Sequence, residues 1–227
     1  MKLSVVMPVF NEKATIRQII DKVQAVELEK ELIVVDDGST DGTREILQEL
    51  EPSLDGARMF YFDHNRGKGA AVRHGIAQAG GDVVVIQDAD LEYDPEEFHN
   101  LLEPYRKGRA AVVYGSRFLG GHRTGYYWTT MGNKLLTWLT NVIYNTNLTD
   151  METCYKLFDR AILSEIKLKC QRFEFEPEVT AKILKRGIHI YEVPISYVGR
   201  EYSEGKKIKA TDAWDAFKAL VRYRFMD

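Results

Sequence analysis

The chain has 227 residues, 44% of them hydrophobic, with a formal net charge of -3 and a pI near 6.0. That length and apolar content suffice for one domain with a full core, and the acidic balance excludes a general nucleic-acid binder, whose electrostatic footprint would be basic. The two cysteines, Cys154 and Cys170, form no disulfide framework and no paired metal-ligand spacing, so both are expected as reduced thiols in a cytoplasmic protein.

Taken in chain order, the pattern alternates strand and helix. The opening MKLSVVMPVF has an apolar run too short for a signal peptide and reads instead as a strand over residues 3–7. A helix follows over 13–26, with Ile16, Ile19, Ile20 and Val23 at helical spacing. Residues 32–35 predict a second buried strand. The cluster Asp36-Asp37-Gly38-Ser39-Thr40-Asp41-Gly42 then turns the chain and supplies caps for a helix over 43–50. A third strand covers 59–62, and Asn65-Arg66-Gly67-Lys68-Gly69 leads into a helix over 70–79 that Gly80-Gly81 stops. Residues 83–86 are β-branched without a break, as in a strand buried on both faces of a parallel sheet. Asp94 as N-cap, Pro95 at the first helical position and acids in the first turn open a helix that runs to residue 106.

The second half continues with a strand over 111–114 ending in Gly115-Ser116-Arg117, a mobile connection over 118–127 and an amphipathic helix over 131–144. A strand over 154–158, a helix over 176–185, a strand over 188–193 and a closing amphipathic helix over 210–224 complete the reading. No stretch approaches the roughly 18 apolar residues that span a bilayer; residues 135–144 come nearest and are interrupted by Thr137, Thr140 and Asn141. The rhythm predicts an α/β fold, a mostly parallel twisted sheet with helices on both faces. One domain spans 1–227 in this reading, with a nucleotide-binding half over 1–116 and a second half over 117–227.

Chemistry concentrates where strands end. Asp88 and Asp90, one residue apart after a buried strand, and Glu92 nearby offer the carboxylate oxygens that hard divalent cations take together with substrate phosphates. Pro8 to Glu12, Asp36-Asp37-Gly38 and Asn65 to Gly69 fall on the same sheet edge. There Glu12 and Asp37 can accept hydrogen bonds from ribose or base, and Lys68 suits a phosphate. Neither the dinucleotide glycine fingerprint nor a Walker lysine motif is present, which disfavours a nicotinamide dehydrogenase. Arg117, Arg123, Lys134, Arg200, Lys206 and Lys207 make the second half cation-rich. Asp150 is the obvious base candidate there, with a turn cap as its alternative role.

In order, PVFNE, VVDDGSTDGT, NRGKGAAVRHG, QDADLEYDPEE, YGSRF, TDMETCYKLF and REYSEGKK resemble the inverting family 2 glycosyltransferases of the GT-A fold, and within them the dolichyl-phosphate mannose synthase-like branch. The resemblance covers nearly the whole chain. It implies a GDP- or UDP-sugar donor, a Mg²⁺ or Mn²⁺ ion held by Asp88, Asp90 and Glu92, and Pro8, Phe10, Glu12 and Asp37 around the nucleoside. Arg117, Arg200 and Lys206 match the cations that serve the donor diphosphate or the acceptor phosphate, and Asp90, Arg117 and Asp150 are the catalytic candidates. The implied acceptor is a polyprenyl phosphate, dolichyl or undecaprenyl, reached at the cytoplasmic membrane face by a peripheral protein or with a membrane partner. Met131 stands where the lipid-phosphate enzymes carry a phosphate-contacting arginine, leaving Arg123 or Lys134 to substitute. The alternatives are a soluble alcohol acceptor with Asp150 as base, or a non-catalytic nucleotide-sugar-binding module. Residues 203–209, SEGKKIK, are expected to be disordered without ligand and to close over the diphosphate.

Overall fold

The computed structural model describes residues 1–121, 123, 126–200 and 210–226; Lys206 and the expected lid over 203–209 lie outside the described residues. Its strands are β1 (Leu3–Val9), β2 (Lys30–Asp36), β3 (Ala57–Tyr61), β4 (Val83–Ile86), β5 (Val112–Ser116), β6 (Lys156–Asp159) and β7 (Tyr191–Pro194). Its helices are α1 (Ile16–Ala25), α2 (Thr43–Leu50), α3 (Lys68–Gln78), α4 (Phe98–Arg106), α5 (Tyr127–Tyr144), α6 (Arg160–Glu165), α7 (Phe175–Lys185) and α8 (Ala210–Phe225). The strands form one sheet in the order β3-β2-β1-β4-β6-β5-β7. All pairings are parallel except those of β6, which runs antiparallel to both β4 and β5.

Strand β1 lies between β2 and β4, so the chain order reverses there and a crevice opens beyond the carboxyl ends of β1 and β4. Every residue of Val83–Ile86 has no exposed surface, so both faces of the sheet are covered at its centre. Ile16, Ile19, Ile20 and Val23 are buried by their spacing on α1, each worth about 1.5–3 kcal/mol of apolar burial. Helix α1 starts three residues later than the pattern predicts because Glu12 and Thr15 form a turn in which the Glu12 carbonyl accepts from the Thr15 and Ile16 N–H groups. Asp94 does cap the acidic loop, accepting from the Glu96 N–H. The first turn after it is a 3₁₀ turn over Pro95–Glu97 that continues into α4.

Helices α5, α7 and α8 pack on one another around Leu136, Leu148, Met151, Ala216 and Leu220. The opposite face of α5 has no partner among the described residues: Trp128, Met131, Leu135, Trp138 and Val142 are all exposed, Trp128 by 83%. Among the described residues no helix is long and apolar enough to cross a membrane.

At the other end of the sheet, buried Glu31 ties three elements together. Its carboxylate accepts from Ser4 Oγ at 2.6 Å, Gly80 N at 2.6 Å, Gly81 N at 3.1 Å and Lys2 Nζ at 3.2 Å. Burial raises its pKa, but these donors outweigh it and hold the carboxyl at about 2 against an ordinary 4.5. The stabilisation is therefore complete above the ordinary value and is lost as pH falls toward 2. Urea unfolding should show Glu31→Gln less stable than the unsubstituted protein by about 2 kcal/mol near neutrality, after allowance for solvent screening, and the gap should narrow steadily below about pH 4.5. A gap that stays constant down to about pH 3 would show that the donors do not favour the ionised form.

Candidate active site

The crevice at the switch point is a cavity of about 1050 Å³ whose wall includes Pro8, Phe10, Glu12, Asp37, Lys68, Asp88, Asp90, Glu92, Arg117 and Arg200. Strand β4 delivers the acids. Gln87 is fully buried and accepts from Tyr155 Oη at 2.6 Å, which fixes the strand's end. Leu91 then takes a left-handed conformation, φ 63°, rare for a branched side chain. With it the chain turns sharply, and Asp90 and Glu92 both reach the cavity.

Each acid faces a protein cation or donor. Lys68 Nζ lies 2.9 Å from Asp88 and 3.0 Å from Glu176. Burial opposes the Lys68 charge, but Asp88 and Glu176 outweigh it and keep the ammonium pKa well above the usual range. The Arg200 guanidinium bonds Glu12 at 3.0 and 3.2 Å and Asp90 at 3.1 Å. Glu92 accepts from Tyr197 Oη at 2.8 Å and from the Arg200 N–H at 2.7 Å. Asp90 sits where negative charge is in excess: burial, then Asp88 and Glu92, push its pKa up to about 7 against the opposing pull of Arg200.

The residues fit a hard divalent cation in part. The donor set is all oxygen, and Asp90 sits among more negative charge than its one guanidinium neutralises. Yet among the described residues no three His, Cys, Asp or Glu side chains are gathered at metal-holding spacing. Glu92, expected as a third ligand beside Asp88 and Asp90, is committed instead to Tyr197 and Arg200. The arrangement matches a site in which one or two carboxylates hold the ion and substrate phosphates complete its shell.

Beside the loop before α3, Asp37 is almost wholly buried and accepts from Asn65 Nδ2, Arg66 N and Gly67 N at 2.7–3.0 Å, so it shapes that loop as well as lining the cavity. Burial raises its pKa despite those bonds. Gly67 has φ 94°, and a Cβ there would run into the Gln171 carbonyl. That close approach lets the Gln171 and Arg172 carbonyls accept from the first N–H groups of α3. On the far side, Arg117 grips Asp150 through Nε and Nη2, both at 2.7 Å, and its ring neighbour is Tyr197 at 5.3 Å. Asp150, the base candidate of the sequence reading, is fully buried, is not among the residues of the cavity wall, and has both carboxylate oxygens on Arg117.

The structure thus brings together Pro8, Phe10, Glu12, Asp37, Lys68, Asp88, Asp90, Glu92, Arg117 and Arg200. It leaves Arg123 and Lys134 exposed and off the cavity wall, with the Lys134 ammonium 5.4 Å from the Phe118 ring centroid. The sequence reading has one or the other substitute for the arginine absent at Met131, which is itself exposed on the outer face of α5. Sequence reasoning missed Glu152, Tyr93, Trp128, Arg172, Glu176 and Tyr197, all of which line the cavity. Glu176 stands in an acidic run that reads only as the start of a helix, and no spacing rule pairs it with Lys68, 108 residues away.

The fold is an α/β domain of the GT-A type. The chain belongs to glycosyl transferase family 2, whose profile it matches over residues 4–167. It is 33% identical over 218 residues to the low-salt glycan biosynthesis hexosyltransferase Agl6 of Haloferax volcanii, covering 93% of this chain but only 51% of that protein, so it spans about half the relative's length. It is 28% identical over 216 residues to the undecaprenyl-phosphate mannosyltransferase of Micrococcus luteus, covering 91% of this chain and 87% of that one. The same fold occurs in glucosyl-3-phosphoglycerate synthase from Mycobacterium tuberculosis, solved with Mn²⁺, UDP and glucosyl-3-phosphoglycerate. That match has a TM-score of 0.77 and 22% identity, and covers 100% of this chain and 81% of the other.

Proposed function

We propose that this protein moves a sugar from a GDP- or UDP-sugar, with a Mg²⁺ or Mn²⁺ ion, to a polyprenyl phosphate, inverting the anomeric carbon. The observation that carries the reading is the cavity itself: Asp88 and Asp90 face Lys68 and Arg200 at one end, Arg117 stands at another, and Trp128, Gly132 and Leu136 of α5 form part of the same wall. The named activity of the Micrococcus luteus relative and the Mn²⁺ and UDP in the Mycobacterium tuberculosis complex support acceptor and donor class respectively.

In this reading residues 1–116 hold the donor and 117–227 the acceptor. Pro8, Phe10, Glu12 and Asp37 seat the nucleoside, and Asp88 and Asp90 are the protein's share of the metal site, with Glu92 acting through Arg200 and Tyr197. A bound divalent ion would stabilise charge on the departing diphosphate. Lys68 and Arg200, released from their acids when phosphates arrive, add cationic stabilisation at the same leaving group, as would Lys206. Arg117, held rigid by Asp150, positions the acceptor phosphate. One of that phosphate's oxygens attacks the anomeric carbon as the bond to the diphosphate oxygen breaks. A phosphate monoester is already anionic near neutral pH, so this step needs no general base.

The exposed stripe of α5 fits the acceptor's hydrocarbon. Trp128 belongs both to the cavity wall and to the apolar face that continues through Met131, Leu135, Trp138 and Val142. Such a face can lie at the headgroup boundary of the cytoplasmic membrane while the lipid phosphate enters the cavity. Incubation of radiolabelled donor with the protein, Mn²⁺ and a short-chain polyprenyl phosphate should carry label into the organic phase. Label that stays aqueous while a soluble sugar or glycerol derivative becomes glycosylated would overturn the lipid acceptor. Tight nucleotide binding with no turnover of any donor would make the protein a binding module.

A further inference from the structure

Glu152 is the one cavity-lining acid described in this structure that no hydrogen bond accounts for. Its Oε1 is buried and without a partner, and among the described residues its carboxyl makes no hydrogen bond at all. The protein nevertheless fixes its position. Lys156, fully buried, donates its ammonium to the carbonyls of Met151 and Thr153, the residues on either side, and so clamps the backbone that carries Glu152. A buried acceptor held in place and left unsatisfied is rare in folded proteins and calls for an external donor.

The neighbourhood selects the kind of donor. The two nearest cations are already engaged, Lys156 by those carbonyls and Arg117 by Asp150. Glu176 brings a second carboxyl toward this corner and no described cation is left free in it, so a phosphate finds no countercharge here, whereas neutral hydroxyls need none. A carboxyl with both oxygens open accepts two adjacent O–H groups, the pattern of a vicinal diol. Glu176, which joins this corner to Lys68, ties it to the end of the cavity where the diphosphate is placed.

We infer that Glu152 is the residue that reads the donor sugar, accepting hydrogen bonds from neighbouring hydroxyls of the hexose ring. This rests on the nucleotide-sugar reading above and adds to it a determinant of sugar choice.

The test uses the full chain with Mn²⁺ and calorimetric titration of UDP, GDP, UDP-glucose, GDP-mannose and the deoxy analogues of the two sugars. Glu152→Gln and Glu152→Ala should bind the preferred nucleoside diphosphate within about twofold of the unsubstituted protein, since that part of the ligand lies elsewhere. Affinity for the corresponding sugar nucleotide should fall by at least about tenfold, and turnover with it by about 10²-fold. The unsubstituted protein should discriminate against at least one deoxy analogue, and both variants should lose that discrimination, which a merely structural role would leave intact. Gln is isosteric with Glu, so this variant should unfold at the same temperature as the parent. Discrimination among deoxy donors that is equal in parent and variants overturns the inference and leaves the donor class standing. No binding of either nucleoside diphosphate to the unsubstituted protein overturns both.

Discussion

On the proposed reading, Asp90→Ala should abolish metal-dependent donor binding and lower sugar transfer by about 10³-fold, the scale expected when electrostatic stabilisation of the developing charge is lost, here with the ion Asp90 would hold. The same substitution should not weaken the fold, because Asp90 is a buried acid whose carboxyl is pushed up to about 7, mainly by burial, and removing it relieves repulsion with Asp88 and Glu92. Arg200 keeps Glu12 as a partner, with Nη1 at 3.0 Å. Calorimetry of donor with and without Mn²⁺, alongside thermal unfolding, separates the two effects. Donor affinity and metal dependence that remain unchanged in Asp90→Ala would refute the assignment.

The second large effect belongs to the Arg117–Asp150 pair, 11% and 0% exposed. Arg117→Ala leaves a buried carboxylate with no countercharge and Asp150→Ala leaves a buried guanidinium, so either should cost about 3–5 kcal/mol of stability. If Arg117 positions the acceptor phosphate as proposed, both should also stop transfer to the lipid phosphate, one by removing the contact and the other by freeing it from its orientation. Replacing the two together by Met and Leu should recover most of the stability and none of the transfer. Urea unfolding and the organic-phase assay read the two quantities independently. A double variant that transfers sugar would show that the pair is structural only.

Much of the first half was legible because its signals are local. The unbroken Val83–Ile86 run announces a strand covered on both faces, the Asp94-Pro95 start announces a helix, and the apolar spacing of α1 gives its buried face. Those three facts give the frame, and the strand ends on one edge of a parallel sheet place Glu12, Asp37, Lys68, Asp88 and Asp90 on one cavity wall. What could not be read depends on contacts between distant residues. Strand β6 was visible as a strand, but its insertion between β4 and β5, antiparallel to both, follows from which edge it meets in three dimensions. Asp150 looks like a base in sequence and is a buried partner of Arg117 in space. Glu92 falls in register for a metal ligand until the left-handed Leu91 turns the chain and Tyr197 and Arg200 take hold of it.

The described wall of the cavity carries seven carboxyl side chains, from Glu12, Asp37, Asp88, Asp90, Glu92, Glu152 and Glu176, against four cations, Lys68, Arg117, Arg172 and Arg200. At an effective dielectric constant of 20, each unpaired like charge about 4 Å away opposes an arriving phosphate by about 4 kcal/mol. A naked diphosphate therefore faces an electrical barrier at the entrance, whereas one that travels with a divalent counterion arrives nearly neutral. If the ligand is the proposed nucleotide, the described carboxylates would act as an ion filter, favouring entry of its metal complex over the free nucleotide.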